Sequence, residues 1–262
     1  NAIKMTPGYV YHSSFDLYPT YGDTDTHFWN LEGSYTFVGE LFIRSQETYR
    51  DDVTKPLPVT TEESPAARNR GGSPEQNREQ IKFNDYLGIN ELYRDWKPFK
   101  HPVYGDIEIG GWVKMSSRLP HPVMLPDLVH RNAMVVLFAA EQTPEISLSV
   151  IEVKEVGKNL HRVRVRLENA KGLPSMAAHS VQTKLYTPDM LKVTGGKVIA
   201  SGKITDLRNN RVDYQEHKPE VIYTSVPSYG HVEHEFLVEG KGEIKITYTS
   251  RKAKDIEQTV KL

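Results

Sequence analysis

Residues 22–42 read GDTDTHFWNLEGSYTFVGELF, and the reading of this stretch governs the N-terminal part of the 262-residue chain. Tyr35, Thr36, Phe37 and Val38 run together, and Glu40 is followed by Leu41, Phe42 and Ile43. A run so dense in aromatic and β-branched side chains predicts a buried strand. Glu40 is the one carboxylate inside it. An acid in such a place must be paired, hydrogen-bonded or functional, because an unpaired buried charge is costly. On texture alone, a strand-end acid in a salt bridge is the plain reading.

Working outward, four regions differ in composition. Residues 1–53 are rich in aromatics and end in a charged run at 46–52. Residues 54–82 scatter Pro56, Pro58, Pro65, Gly71, Gly72 and Pro74 among polar side chains, the composition of a mobile surface insertion. In residues 83–96 the apolar positions Tyr86, Ile89, Leu92, Tyr93 and Trp96 recur at helical spacing, with Asn84 as a candidate cap. Ile107 and Ile109 alternate with Asp106 and Glu108 before Gly110-Gly111, as in a short strand with one wet face. Pro126 then suits the first turn of a helix over 126–142, whose Leu128, Val129, Val135, Val136 and Phe138 predict a mostly buried element.

After Pro144 the pattern turns to alternation. Val163, Val165 and Leu167 interleave with Arg162, Arg164 and Arg166, and Ile244, Ile246 and Tyr248 interleave with Lys245 and Thr247. Further runs at 179–186, 197–205 and 231–238, with a tight turn at Gly240-Lys241-Gly242, give about seven short strands over 145–262. That spacing predicts an immunoglobulin-like or fibronectin-like sandwich. Composition narrows the function classes. The 33 basic and 34 acidic residues nearly cancel, which argues against general nucleic-acid or anionic-membrane binding. No apolar run in the sequence approaches the roughly 20 residues of a membrane span. The chain has 0 cysteines, so disulfides, thiolate catalysis and cysteine zinc sites fall away. The first residues show no basic and apolar leader pattern.

Three blocks together resemble the closing part of the catalytic domain of the zinc carboxypeptidases, the funnelin or M14 family, in its large bacterial form. They are residues 18–42, the stretch DWKPFKHPVYGDIEIGGW at 95–112, and the stretch from Arg131-Asn132-Ala133 to Pro144. The resemblance implies an α/β fold, a partial α/β/α carboxypeptidase-like domain over 1–53 and 83–144, followed by an all-β accessory sandwich over 145–262. It implies hydrolysis of a C-terminal peptide or isopeptide bond by zinc-activated water, with Glu40 as general base. The family's substrate-covering tyrosine falls on Tyr18, 22 residues before Glu40, with Tyr21 as its rival because the spacing to the loop acid is one residue short. That loop acid falls on Asp25, and Thr24 takes the place of the residue lining the side-chain pocket.

The resemblance also sets out what this sequence lacks. The family's His-x-x-Glu zinc pair, its second histidine and its carboxylate-binding arginine precede the catalytic strand, whereas no His-x-x-Glu and no arginine precede Glu40 here. Zinc ligands are therefore expected outside this chain, on an upstream half of the same domain. The chain alone is expected to be inactive, and an exported, periplasmic or extracellular location is implied by the resemblance. A non-catalytic binding or adhesion protein with the sandwich as its working part is the alternative. A third option, a sugar-binding module, would use exposed tyrosines such as Tyr223 and Tyr229.

Other motifs have plainer readings. Glu108 competes for the catalytic role, but its alternation with Ile107 and Ile109 points it to water. His217 and Glu220 spell His-x-x-Glu across a proline, as a surface loop would. His231 and His234 are three apart in a strand pattern, so they leave opposite faces and do not match the helical zinc motif. His27 and His101 read as structural histidines. Arg162, Arg164 and Arg166 on one strand face read first as a solvated face and second as a partner surface. No Gly-x-Ser-x-Gly or P-loop pattern occurs.

Overall fold

The computed structural model describes residues 21–39, 41, 74–87, 92–114, 116, 119–215 and 217–262. They fall into two compact units, one from Gly39–Phe138 and the other from Thr20–Val38 with Ala139–Leu262.

The second unit is built on two antiparallel sheets. Strands β3 (Ile146–Gly157), β4 (Leu160–Asn169), β9 (His231–Glu239), β6 (Lys197–Asp206) and β7 (Arg211–Tyr214) lie side by side in that order. The other sheet runs β11 (Ile256–Lys261), β10 (Glu243–Thr249), β5 (Asp189–Thr194), β8 (Val221–Thr224). Alternation places Val163, Val165 and Leu167 against Phe236, Leu191, Ile246 and Tyr248, all fully buried, in one apolar core between the sheets. The predicted β-rich half is thus a β-sandwich, with nine strands among the described residues in place of about seven. Strands β5, β7, β8 and β11 lie outside the runs read from the sequence, and β7 and β8, at four residues each, are too short to show a period. Residues 179–186, expected as a strand, instead hold helix α4 (Ala178–Thr183), closed by Lys184 in the left-handed region.

The outer face of the five-stranded sheet is ionic. Arg164 Nε lies 2.7 Å from Glu235, Arg166 Nη2 lies 2.6 Å from Glu233, and Arg162 donates two bonds of 3.0 Å to Glu152. The expected solvated face is corrected here: the side chains of Arg164 and Glu235 are only 8% and 3% exposed. Register explains this, since β4 pairs with β9 so that Arg164 meets Glu235 and Arg166 meets Glu233. Arg162 beside Glu152 holds that carboxyl below its ordinary range. Tyr214 donates to Glu235 at 2.5 Å, and burial together with that carboxylate pushes its hydroxyl up to about 12.

The described part of the first unit holds a helix, a hairpin and most of a second helix. Helix α2 (Pro74–Leu87) precedes the hairpin of β1 (Tyr93–His101) and β2 (Gly105–Trp112). The helix expected at 83–96 is therefore displaced: it starts at Pro74, inside the expected insertion, and ends before a strand that carries Tyr93 and Trp96. Asn84 is no cap; its side chain accepts the Leu92 backbone N–H at 3.1 Å and ties helix to hairpin. Strand β2 runs through Gly110, where a Cβ would meet the Trp96 backbone at 2.6 Å, so the Gly-Gly pair permits a close crossing and does not end the strand. Helix α3 (Leu125–Glu141) matches the expected span closely but has no buried residue. With the 3₁₀ turn at Pro122–Met124 it makes a 20-residue stretch that is long and apolar enough, by length and composition only, to cross a membrane. Length and composition do not separate a span from a helix that packs on protein.

Replacing Arg164 by Met leaves the buried Glu235 carboxylate with the Tyr214 hydroxyl but no cation, and is expected to cost about 3–5 kcal/mol in urea unfolding, most of which the double variant R164M/E235L restores. His234, buried on the inner face and 3.1 Å from the Thr224 hydroxyl, is pushed down to about 4 by desolvation and the nearby Lys203. The unfolded imidazole keeps its ordinary pKa of about 6.5, so between these values the unfolded chain binds the extra proton and stability rises with pH. Unfolding midpoints are expected to fall as pH drops from about 6.5 to 4, and H234Q is expected to flatten that slope.

Candidate functional site

Glu40 and Tyr18 lie outside the described residues. The three other candidates stand at the start of helix α1 (Thr24–Glu32), an element the sequence reading did not anticipate. Its signals were present: Asp23 caps the first turn by accepting the Thr26 N–H at 3.0 Å, and Gly33 closes the last in the left-handed region at φ 61°. Tyr21 is 92% exposed ahead of the cap. Thr24 and Asp25 share the first turn, where the helix dipole favours an acid, but successive helical side chains diverge by about 100°. The structure thus brings Thr24 and Asp25 together and leaves Tyr21 in solvent.

The stretch after α1 differs from the buried strand expected there. Residues 33–38 run without sheet partners, and Phe37 and Val38 are 67% and 70% exposed. Side chains hold the segment instead. Tyr35 donates to the Pro174 carbonyl at 2.7 Å, Trp29 stacks on His179 at 5.7 Å, and Glu32 pairs with Arg251 at 3.2 Å. Burial, with Tyr186 and Asp189 nearby, raises the Tyr35 hydroxyl far above the ordinary tyrosine range, so it stays a proton donor. Tyr248, donating to Asp189 at 2.7 Å, is raised by burial and by that carboxylate. Lys252 lies 5.0 Å over the Tyr35 ring and is pulled down by burial and by Arg251. A cleft of about 350 Å³ beside this segment is lined by Tyr35, Phe37, Thr143, Leu173 and Lys252 among others.

A larger cleft opens between the sheets where α4 covers their ends. Its main lobe, of about 840 Å³, has an apolar wall from Met176, Ile204, Val226 and Val232. A second lobe of about 340 Å³ runs towards Tyr223 and His234, and Met176, Val181, Lys203 and Ser225 line both. Sequence reasoning did not find it, because it draws on four separated segments.

Among the described residues no group of three or more His, Asp or Glu side chains could hold a metal ion. His231 is exposed while His234 is buried, in keeping with opposite faces of β9. His217 is exposed beside Lys218, whose φ of 50° marks a turn. His101 accepts the backbone N–H groups of Val103 and Tyr104 at 3.1 and 3.2 Å and shapes the β1–β2 turn, as a structural histidine does. Glu108 pairs with Pro98 across that hairpin. Tyr223 and Tyr229 are 56% and 70% exposed, and the Tyr229 hydroxyl is held by Gln142 at 2.6 Å.

A family profile described as Domain of unknown function (DUF8731) matches residues 145–261, which is the sandwich without its N-terminal attachment. No curated protein matches the chain. Among solved structures, a conjugative transposon lipoprotein from Bacteroides eggerthii is similar at 7% identity over 44% of this chain and 93% of its own, with a TM-score of 0.23. A GH20 exo-β-N-acetylglucosaminidase from Vibrio harveyi shares 10% identity over 45% of this chain and 18% of its own, with a TM-score of 0.20. The ASH/PapD-like domain of human CEP192 shares 11% identity over 45% of this chain and 83% of its own, with a TM-score of 0.21. Similarity this distant carries no argument about activity.

Proposed function

We propose that this chain is the C-terminal part of a zinc metallocarboxypeptidase of the M14 type, exported from a bacterial cell. Residues 1–53 and 83–144 would contribute to an α/β catalytic domain, residues 54–82 an insertion, and residues 145–262 an immunoglobulin- or fibronectin-like accessory sandwich. The described residues do not supply a set of metal ligands. Zinc, which would activate water for attack on a peptide or isopeptide carbonyl, would be held by upstream polypeptide. In this chain Glu40 takes a proton from the attacking water and hands it to the departing amine, while Tyr18 or Tyr21 covers the substrate and Thr24 and Asp25 border its side chain.

The reading is supported by the anchorage of the segment that leads to Glu40. Helix α1 and residues 33–38 belong to the sandwich unit through Trp29, Glu32 and Tyr35. A sandwich appended to a peptidase would serve in this way, holding the approach to the catalytic acid so that it does not drift. The alternative, a binding or adhesion protein, is favoured by one observation, the two-lobed cleft under α4.

The test uses the complete polypeptide with its upstream half. It is expected to contain zinc and to release C-terminal residues from peptides, and E40Q is expected to keep the zinc while losing at least about 100-fold in turnover. A complete protein without peptidase activity, or an E40Q variant with unchanged turnover, overturns the reading.

A further inference from the structure

The cleft under α4 is built unlike the rest of the sandwich. Lys203 pairs in register with His234 on β9, and Ser201 two residues back pairs with Phe236 of the core, so the Lys203 side chain leaves the inner face of its sheet. It emerges at the waist shared by the two lobes. The charged groups around it are few. Glu233 is already bonded twice by Arg166, at 2.9 and 2.6 Å. Burial favours the neutral imidazole of His234, and His231, which also lines the main lobe, is exposed. Asp213 stands opposite Lys203 on β7 without closing an ion pair. An exposed cation thus stands in a cleft of mixed polar and apolar lining whose volume lies in the range of ligand sites.

The trough is also bounded by the outermost strands of the two sheets, β7 through Asp213 and β8 through Ile222, Tyr223 and Thr224. Edge strands present unpaired backbone groups on their outer side, which favours an extended chain over a compact ligand. We propose that this cleft binds an extended peptide segment, with one carboxylate on the Lys203 ammonium. The carboxylate is either an acidic side chain or a C-terminus; both present the same anion. The site lies wholly within the sandwich, so its failure and the failure of the Glu40 reading are separate results.

Three N-acetylated, unlabelled pentapeptides of alternating leucine and serine decide the matter by isothermal titration calorimetry with the full chain. The first has a central aspartate and an amidated C-terminus, the second a free C-terminal carboxylate and no aspartate, the third neither charge. At least one anionic peptide is expected to bind about tenfold or more tightly than the neutral one. K203M is expected to erase that preference, K203R to keep it, and D213N to strengthen it. Added salt is expected to weaken the anionic peptides alone. Whichever of the first two binds more tightly identifies the source of the carboxylate. Equal affinity for all three peptides, binding of none, or an undiminished preference in a folded K203M overturns the proposal. Should K203M fail to fold, loss of preference in K203R or its persistence in high salt has the same force.

Discussion

Gly33 is the constraint on which the position of the N-terminal segment depends. Its φ of 61° ends helix α1, and a Cβ there would lie 2.6 Å from both Ser180 Oγ and a Tyr186 ring carbon. Only a residue with no side chain can turn the chain there and let it lie against α4 and the loop beyond it. Everything after the turn inherits this fit. Tyr35 reaches the Pro174 carbonyl, and its neighbours Tyr186, Asp189 and Tyr248 form a buried polar patch in which the hydroxyls of Tyr35 and Tyr248 keep their protons. The segment is part of the sandwich in a physical sense: Tyr35 bonds the Pro174 carbonyl and Glu32 pairs with Arg251 only when it is in place.

The sandwich has two different solutions on the two faces of one sheet. Its inner face is close-packed hydrocarbon around Val163, Val165 and Phe236, and its outer face is a ladder of guanidinium and carboxylate groups. Burying such a ladder gives little net stability, but its complementary register rejects slipped pairings of β4 and β9. Between those regular regions lies the trough under α4, where the exposed Lys203 stands on the inner face opposite His234. Departure from the sheet pattern at Lys203 is what makes that place a site and the rest a scaffold.

The β-rich half was legible because its strands alternate strictly, as at Val163-Arg164-Val165-Arg166, and because turns such as Gly240-Lys241-Gly242 separate them. The partners of the arginines were not, since Glu233 and Glu235 lie about 70 residues away and only register brings them opposite. Helix α4 was misread because its Val181 and the adjoining Leu185 and Tyr186 mimic a strand run, whereas contact with Gly33 and Trp29 settles it as a helix. Residues 35–38 look like a buried strand by composition, yet no strand among the described residues pairs with them, and propensity yields to tertiary context. Of the candidate site, Thr24 and Asp25 stand on the first turn of helix α1, whose cap residues Asp23 and Gly33 were the signals in the sequence. The Tyr35–Tyr186–Asp189–Tyr248 patch left no sequence signal, being assembled from four separate positions along the chain.

Hydrogen exchange on the intact chain tests the anchorage of this segment most directly. Amides such as Ser34, bonded to the Phe28 carbonyl at 3.0 Å, are expected to exchange far more slowly than in an unstructured chain. G33A is expected to speed exchange across 24–36 while leaving β4 and β9 as slow as before. Exchange over 24–36 at unstructured rates in the unaltered protein, or no change there in G33A, would contradict the account.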